Sequence, residues 1–148
     1  MNLEEQGRGL AEAMHRMKSI DFWRLISDMT PAQIQLLAAI CGGDDEKQKI
    51  SDLYDVCGLQ PATVSRLMND LEDRELIVRN TRKGNRRVTD VSATEQGKII
   101  NGRNLEIIHS FWKDVLGNIH SDDIETMLRV QNEMMDCMEQ ILAKRMDK

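Results

Sequence analysis

Gly58-Leu59-Gln60-Pro61-Ala62-Thr63-Val64-Ser65-Arg66-Leu67-Met68-Asn69-Asp70-Leu71 is the stretch whose reading decides the fold. Glycine tolerates the left-handed backbone that reverses a chain tightly, so Gly58 reads as a turn. Pro61 has its φ preset and no N–H, which suits the first position of a helix. Val64, Leu67, Met68 and Leu71 then recur at three- and four-residue steps and form one apolar face. Upstream, Ser51-Asp52-Leu53-Tyr54-Asp55-Val56-Cys57 reads as a short helix with Ser51 at its N-cap. Helix, glycine turn and helix make the helix-turn-helix pattern. Away from the apolar face, Pro61, Ala62, Thr63, Ser65, Arg66 and Asn69 are the candidates for contact with DNA. Arg66 and Asn69 have the chemistry to read guanine and adenine edges, and Ala62 can meet a thymine methyl. Thr63 and Ser65 suit phosphate.

Downstream, Leu76-Ile77-Val78-Arg79 reads as a strand and Val88 to Ala93 as a second, with Thr89, Val91 and Ala93 on one face. Between them, Asn80 to Arg87 holds a Gly-Asn turn flanked by cations, a hairpin with a basic tip. Arg82, Lys83, Arg86 and Arg87 are its candidate DNA ligands. The net charge is −5, yet Arg79 to Ser92 carries five cations against Asp90 alone, a local +4 that leaves −9 for the rest. A basic projection on an acidic body still presents a positive surface within a Debye length of about 10 Å.

Around this centre, Leu3 to Met29 is helical in pattern, with Leu10, Ala13, Met14, Met17, Ile20, Leu25 and Ile26 at helical steps. Thr30-Pro31-Ala32-Gln33 predicts a capping box opening a helix that carries Ile34, Leu37, Ala38 and Ile40 and stops at Gly42-Gly43. Asp44 to Lys49 is a charged connection, and Ile50 begins a short strand or a hydrophobic staple. Thr94-Glu95 caps a long helix to about Leu116, Gly117-Asn118 interrupts it, and Ser121-Asp122-Asp123 starts the last helix. There, Ile124, Met127, Leu128, Gln131, Met134, Met135, Met138, Ile141 and Leu142 approach a heptad repeat, widened by Val130 and Cys137. A stripe that wide predicts a homodimer.

The 148 residues suffice for one ordinary domain with a core, at 41% apolar and 30% charged content. Aromatic residues make up only 3%, and ten methionines take over much of the core filling. No apolar run is long enough to span a membrane, and the acidic start Met1-Asn2-Leu3-Glu4-Glu5 argues against a signal peptide. Cys41, Cys57 and Cys137 are odd in number and widely spaced, which fits reduced, buried thiols in a cytoplasmic protein. His15, His109 and His120 show no metal-ligand spacing, and no catalytic motif or cofactor loop is present. The expectation is a protein with no metal, no cofactor and no enzymatic activity.

The chain resembles the MarR (multiple antibiotic resistance regulator) family of winged-helix transcription factors. The resemblance rests on Met29-Thr30-Pro31-Ala32-Gln33, Ser51-Asp52-Leu53, Gly58-Leu59, Thr63-Val64-Ser65-Arg66-Leu67, Leu71-Glu72, Leu76-Ile77-Val78-Arg79, Arg86-Arg87 and Ala93-Thr94-Glu95-Gln96-Gly97. It implies a mainly α fold with a small β-hairpin wing. One MarR-type domain over residues 1–148 would hold a winged helix-turn-helix lobe at about 30–93, with helices at about 1–29 and 94–148 forming the dimerisation region. It further implies a bacterial, ligand-responsive homodimer, a repressor on a pseudo-palindromic duplex operator, with Arg87 as the minor-groove arginine. Effectors in the family often bind between the first and fifth helices and the DNA-binding lobe, where Phe22, Trp23, Phe111 and Trp112 could line a pocket. The same four aromatics also read as ordinary core. Four positions depart from the pattern: Asn85 replaces the acid that braces the wing arginine, Glu75 a glycine, Tyr54 a small alanine and Gln60 a serine-like cap. Two other readings stay open, a winged-helix protein-interaction module without DNA binding and a thiol- or metal-sensing regulator.

Overall fold

Asn2 and Glu5 close a reciprocal capping box, with bonds of 2.8 and 3.0 Å, that starts α1 (Leu3–Ser19). The helix predicted to reach Met29 stops at Ser19. There the Ser19 hydroxyl donates to the Arg16 carbonyl at 2.7 Å, a local bond that competes with helix continuation, and Ile20 turns extended. Phe22–Leu25 forms one 3₁₀ turn, and Ile26 and Met29 beyond it enter the core. In this computed structural model residues 1–43, 48–82 and 85–147 are described, with backbone alone at 48, 55, 56, 81, 82 and 85–89. They divide into two units, Met1–Ile107 and Ile108–Lys148.

The predicted capping box at Thr30 forms, with Thr30 and Gln33 exchanging bonds of 3.2 and 2.9 Å, and opens α2 (Pro31–Cys41). Ile34, Leu36, Leu37 and Ile40 are buried. Leu36 lies off the expected stripe because neighbouring elements pack on several sides of α2. Most of the charged connection, residues 44–47, lies outside the described residues. The strand is β1 (Gln48–Lys49) and ends before Ile50, which is the first residue of α3 (Ile50–Cys57). Lys49, held extended by strand pairing, becomes the N-cap, so Ser51 falls inside the first turn and does not cap.

Gly58 adopts the left-handed conformation (φ 61°, ψ 24°) and Pro61 opens α4 (Pro61–Asp73). Val64, Leu67, Met68 and Leu71 are all buried, at 4% exposure or less. At roughly 1.5–3 kcal/mol for each large apolar side chain, this face is the main force seating the helix. α4 ends in a Schellman motif: the Leu76 N–H donates to the Leu71 carbonyl at 3.0 Å and the Glu75 N–H to the Glu72 carbonyl at 2.9 Å. The motif places Glu75 at φ 59°, a site that favours glycine. Glu75→Gly is therefore expected to stabilise the fold by about 1 kcal/mol, read as a rise in the urea midpoint with an unchanged slope.

β2 (Ile77–Arg82) and β3 (Asn85–Ala93) pair antiparallel in a three-stranded sheet of order β1-β3-β2. Both strands are longer than the hydrophobic pattern indicated, because backbone pairing carries on through polar residues. Arg82 lies opposite Asn85, so Asn85 belongs to β3 and not to the predicted Gly84-Asn85 turn, while residues 83–84 lie outside the described residues. On the predicted inner face Val91 is buried and Ala93 half-buried. Asp90 is buried as well, since β3 is the middle strand.

Thr94 locks the sheet to α5 (Glu95–Leu116). Its hydroxyl donates to the Glu75 carbonyl at 2.7 Å and accepts from the Gly97 N–H at 3.0 Å. Gly97 packs so closely that a Cβ there would land on the Leu76 carbonyl oxygen. The second unit contains α6 (Ser121–Met146), whose N-cap is His120, with Nδ1 accepting from the Asp122 N–H at 3.4 Å. No helix among the described residues is long and apolar enough to cross a membrane.

Candidate nucleic-acid interface

The burial of one face of α4 dictates what the other face offers. Pro61, Ala62, Ser65, Arg66 and Asn69 are exposed and Thr63 is half-buried. Gln60 makes no side-chain capping bond at the head of the helix. Arg66 and Asn69 stand three residues apart, on one ridge of the helix. Arg82 lies at the end of β2, and Arg86 and Arg87 lie on β3, while Lys83 falls outside the described residues. The hairpin that carries these cations is thus continuous with the sheet that packs against α4.

Arg79 departs from its expected place among the wing cations. Its Nε donates to Glu72 Oε2 at 2.8 Å, and its Nη2 to Glu72 Oε1 at 3.2 Å and to Asn69 Oδ1 at 2.7 Å. The guanidinium beside Glu72 holds that carboxyl below its usual range, and the carboxylate in turn raises Arg79. One of the five cations counted in the sequence is therefore neutralised against α4, and Asn69 already has a protein partner. Nothing in the sequence announced this clamp, because Glu72 and Arg79 sit on different elements and no helical or strand period relates them.

A second unforeseen network fixes the far end of α4. Arg74 Nη1 donates to the Asp28 carbonyl at 3.0 Å, and Arg103 Nη2 donates to both Asp28 carboxylate oxygens at 3.0 and 3.1 Å. Arg103 also donates to Asn104 Oδ1 at 2.8 Å. Asn104, only 1% exposed, directs Nδ2 to the Met29 sulfur at 3.4 Å. Asp28 thereby ties the C-terminal end of α4 to α5.

The four aromatic candidates occur as two local pairs. Phe22 and Trp23 stack at 4.5 Å on the 3₁₀ turn, so they follow the first helix and are not part of it. Phe111 and Trp112 meet edge to face at 5.4 Å on α5. The cysteines diverge from the uniform burial expected of them. Cys41 and Cys57 are half-buried, with burial pushing both thiols up and away from the reactive thiolate form. Cys137 is exposed, because it lies on a helix with no buried residue. Among the described residues no cluster of histidine, cysteine and carboxylate side chains could hold a metal ion.

A family model described as "MarR family" matches residues 27–88, the span that contains α2 to α4 and most of the hairpin. Residues 27–88 thus match the MarR family, and that span forms a winged helix-turn-helix. Solved structures of similar fold extend the likeness beyond that span. Streptococcus pneumoniae FabT, solved in complex with DNA, superimposes with a TM-score of 0.70 at 14% identity, over 95% of this chain and 99% of FabT. Bordetella bronchiseptica BpsR, whose DNA binding is regulated by 6-hydroxynicotinic acid, gives 0.66 at 19% identity over 88% and 98% of the two chains. A MarR-family transcriptional regulator from Silicibacter pomeroyi gives 0.66 at 22% identity over 87% and 86%. The MarR fold thus accounts for α1, α5 and α6 as well as for the winged helix-turn-helix.

Proposed function

We propose that this chain is a homodimeric, DNA-binding transcriptional regulator of the MarR family that acts as a repressor on a pseudo-palindromic operator. The observation that carries the reading is α4: one face seated in the core, the opposite face exposing Pro61, Ala62, Ser65, Arg66 and Asn69, with a cation-bearing hairpin in the same lobe. Thr63 supports the helix's approach to the groove, while Arg82, Lys83, Arg86 and Arg87 supply phosphate and minor-groove contacts. FabT, of the same fold, is known in complex with DNA, which favours this use of the lobe over a protein-interaction role.

Dimerisation completes the device. Met127, Leu128, Val130, Met135, Met138, Ile141 and Leu142 on α6 are 45–53% exposed in a single chain, as are Leu10 and Met17 on α1 at 44 and 60%. Exposed apolar stripes of this kind mark association surfaces. A two-fold pair would set two recognition helices about one helical turn, roughly 10 bp, apart. Small-molecule control of the kind named for BpsR would use aromatic side chains, with Phe22 and Trp23 the candidates in the first unit and Phe111 and Trp112 those in the second.

Footprinting on the DNA upstream of the protein's own operon tests the reading. The parent is expected to protect an inverted repeat, and Arg66→Ala and Arg87→Ala each to weaken protection about 10-fold or more while circular dichroism stays unchanged. Equal protection by both variants would remove these residues from the interface.

A further inference from the structure

We infer that Arg79 is a positioning residue that fixes the base preference of Asn69 by presenting it to DNA as a hydrogen-bond donor. The inference rests on the DNA-binding reading above and adds to it which base one side chain selects. Arg79 sits on β2 directly opposite Val91, a buried residue of the central strand, so its backbone is anchored. Its side chain crosses to α4, where Glu72 accepts from Nε at 2.8 Å and from Nη2 at 3.2 Å. That two-pronged pair holds the guanidinium plane, and the same Nη2 reaches Asn69 Oδ1 at 2.7 Å.

A guanidinium has donors only, so the chemistry of the contact decides which end of the amide faces it. Oδ1 must point to Arg79, and Nδ2 with its two N–H groups is turned away. An asparagine free to rotate reads adenine with both ends, Oδ1 accepting from N6 and Nδ2 donating to N7. With Oδ1 engaged by a charged donor, what Asn69 extends into the groove is a pair of donors. Guanine, whose O6 and N7 are both acceptors, fits that offer. Adenine places an N6 donor beside it, and cytosine presents a donor alone. The clamp thus converts a residue that sequence reasoning assigned to adenine into one that selects guanine.

Selection of bound sites from randomised duplexes tests this with the full-length parent, Asn69→Ala, Arg79→Ala, Arg79→Lys and the double variant Asn69→Ala with Arg79→Ala. The parent should favour guanine at one position of each half-site, and Asn69→Ala should flatten that position by about 10-fold in discrimination. Arg79→Ala and Arg79→Lys should shift the same position toward adenine and leave the others intact. The double variant should match Asn69→Ala alone, since Arg79 acts through Asn69. Arg79 variants that lose thermal stability but keep the parent's base preferences would overturn the inference, making the clamp purely structural. So would a parent preference for adenine at the Asn69-dependent position, or Arg79 effects at other positions. A parent that enriches no sequence would overturn the DNA-binding reading itself, and this inference with it.

Discussion

Gly97→Ala is expected to destabilise the protein by about 3 kcal/mol and to lower its thermal midpoint by roughly 10 °C. The added Cβ would collide with the Leu76 carbonyl oxygen and come within 3.0 Å of its carbon, and both are backbone atoms that no side-chain rotation can move. Relief requires α5 to withdraw from the start of β2. That would pull on the Thr94 hydroxyl, which bonds Gly97 at 3.0 Å and Glu75 at 2.7 Å. Gly102, in the same helix, is the internal control: a Cβ there meets nothing within 4 Å. Gly102→Ala should be neutral or stabilising by up to about 1 kcal/mol, as helix propensity dictates. Calorimetry of the two variants separates the packing effect from propensity, and equal melting temperatures would contradict the close approach.

The second large effect concerns assembly. Leu128→Glu combined with Met135→Glu places two carboxylates one heptad apart on α6, at residues 51 and 45% exposed in the isolated chain. On the surface of a monomer these changes would cost little. In a two-fold interface each charge would be buried twice without a partner, at about 3 kcal/mol or more per site. The dimer is expected to weaken by at least about 100-fold, and sedimentation should show a monomer at micromolar concentration where the parent is a dimer. DNA binding should fall in parallel, because a single lobe reads one half-site. A parent that already sediments as a monomer would contradict the dimer.

The elements were legible where one local rule governed them. The capping box at Thr30, the proline at the head of α4, the left-handed Gly58 and the Val64-Leu67-Met68-Leu71 face are short-range chemistry, and each stands where its residues placed it. The errors fall where a partner distant in sequence decides. Ser51 loses its capping role to Lys49 because β1 pairs with β3, some forty residues away in the chain. The helical pattern to Met29 is real in spacing, but Ile26 and Met29 reach the core after a 3₁₀ turn and not along a continuous helix. In the candidate interface, the exposure of Pro61, Ala62, Ser65, Arg66 and Asn69 followed from the apolar stripe alone, while Thr63 is half-buried. The Glu72–Arg79–Asn69 clamp did not, since an ion pair between a helix and a strand has no period to betray it. Asp28 and Arg103 are likewise 75 positions apart.

The central claim is that this winged helix binds duplex DNA through the exposed face of α4 and the basic hairpin. Its most direct test is the affinity for a duplex from the protein's own upstream region, followed by fluorescence anisotropy between about 50 and 200 mM salt. Phosphate contacts from the hairpin and from α4 predict tight binding at low salt and a slope of log affinity against log salt of about −4 or steeper. Absence of binding at the lowest salt, or an affinity that does not change across the range, would contradict it.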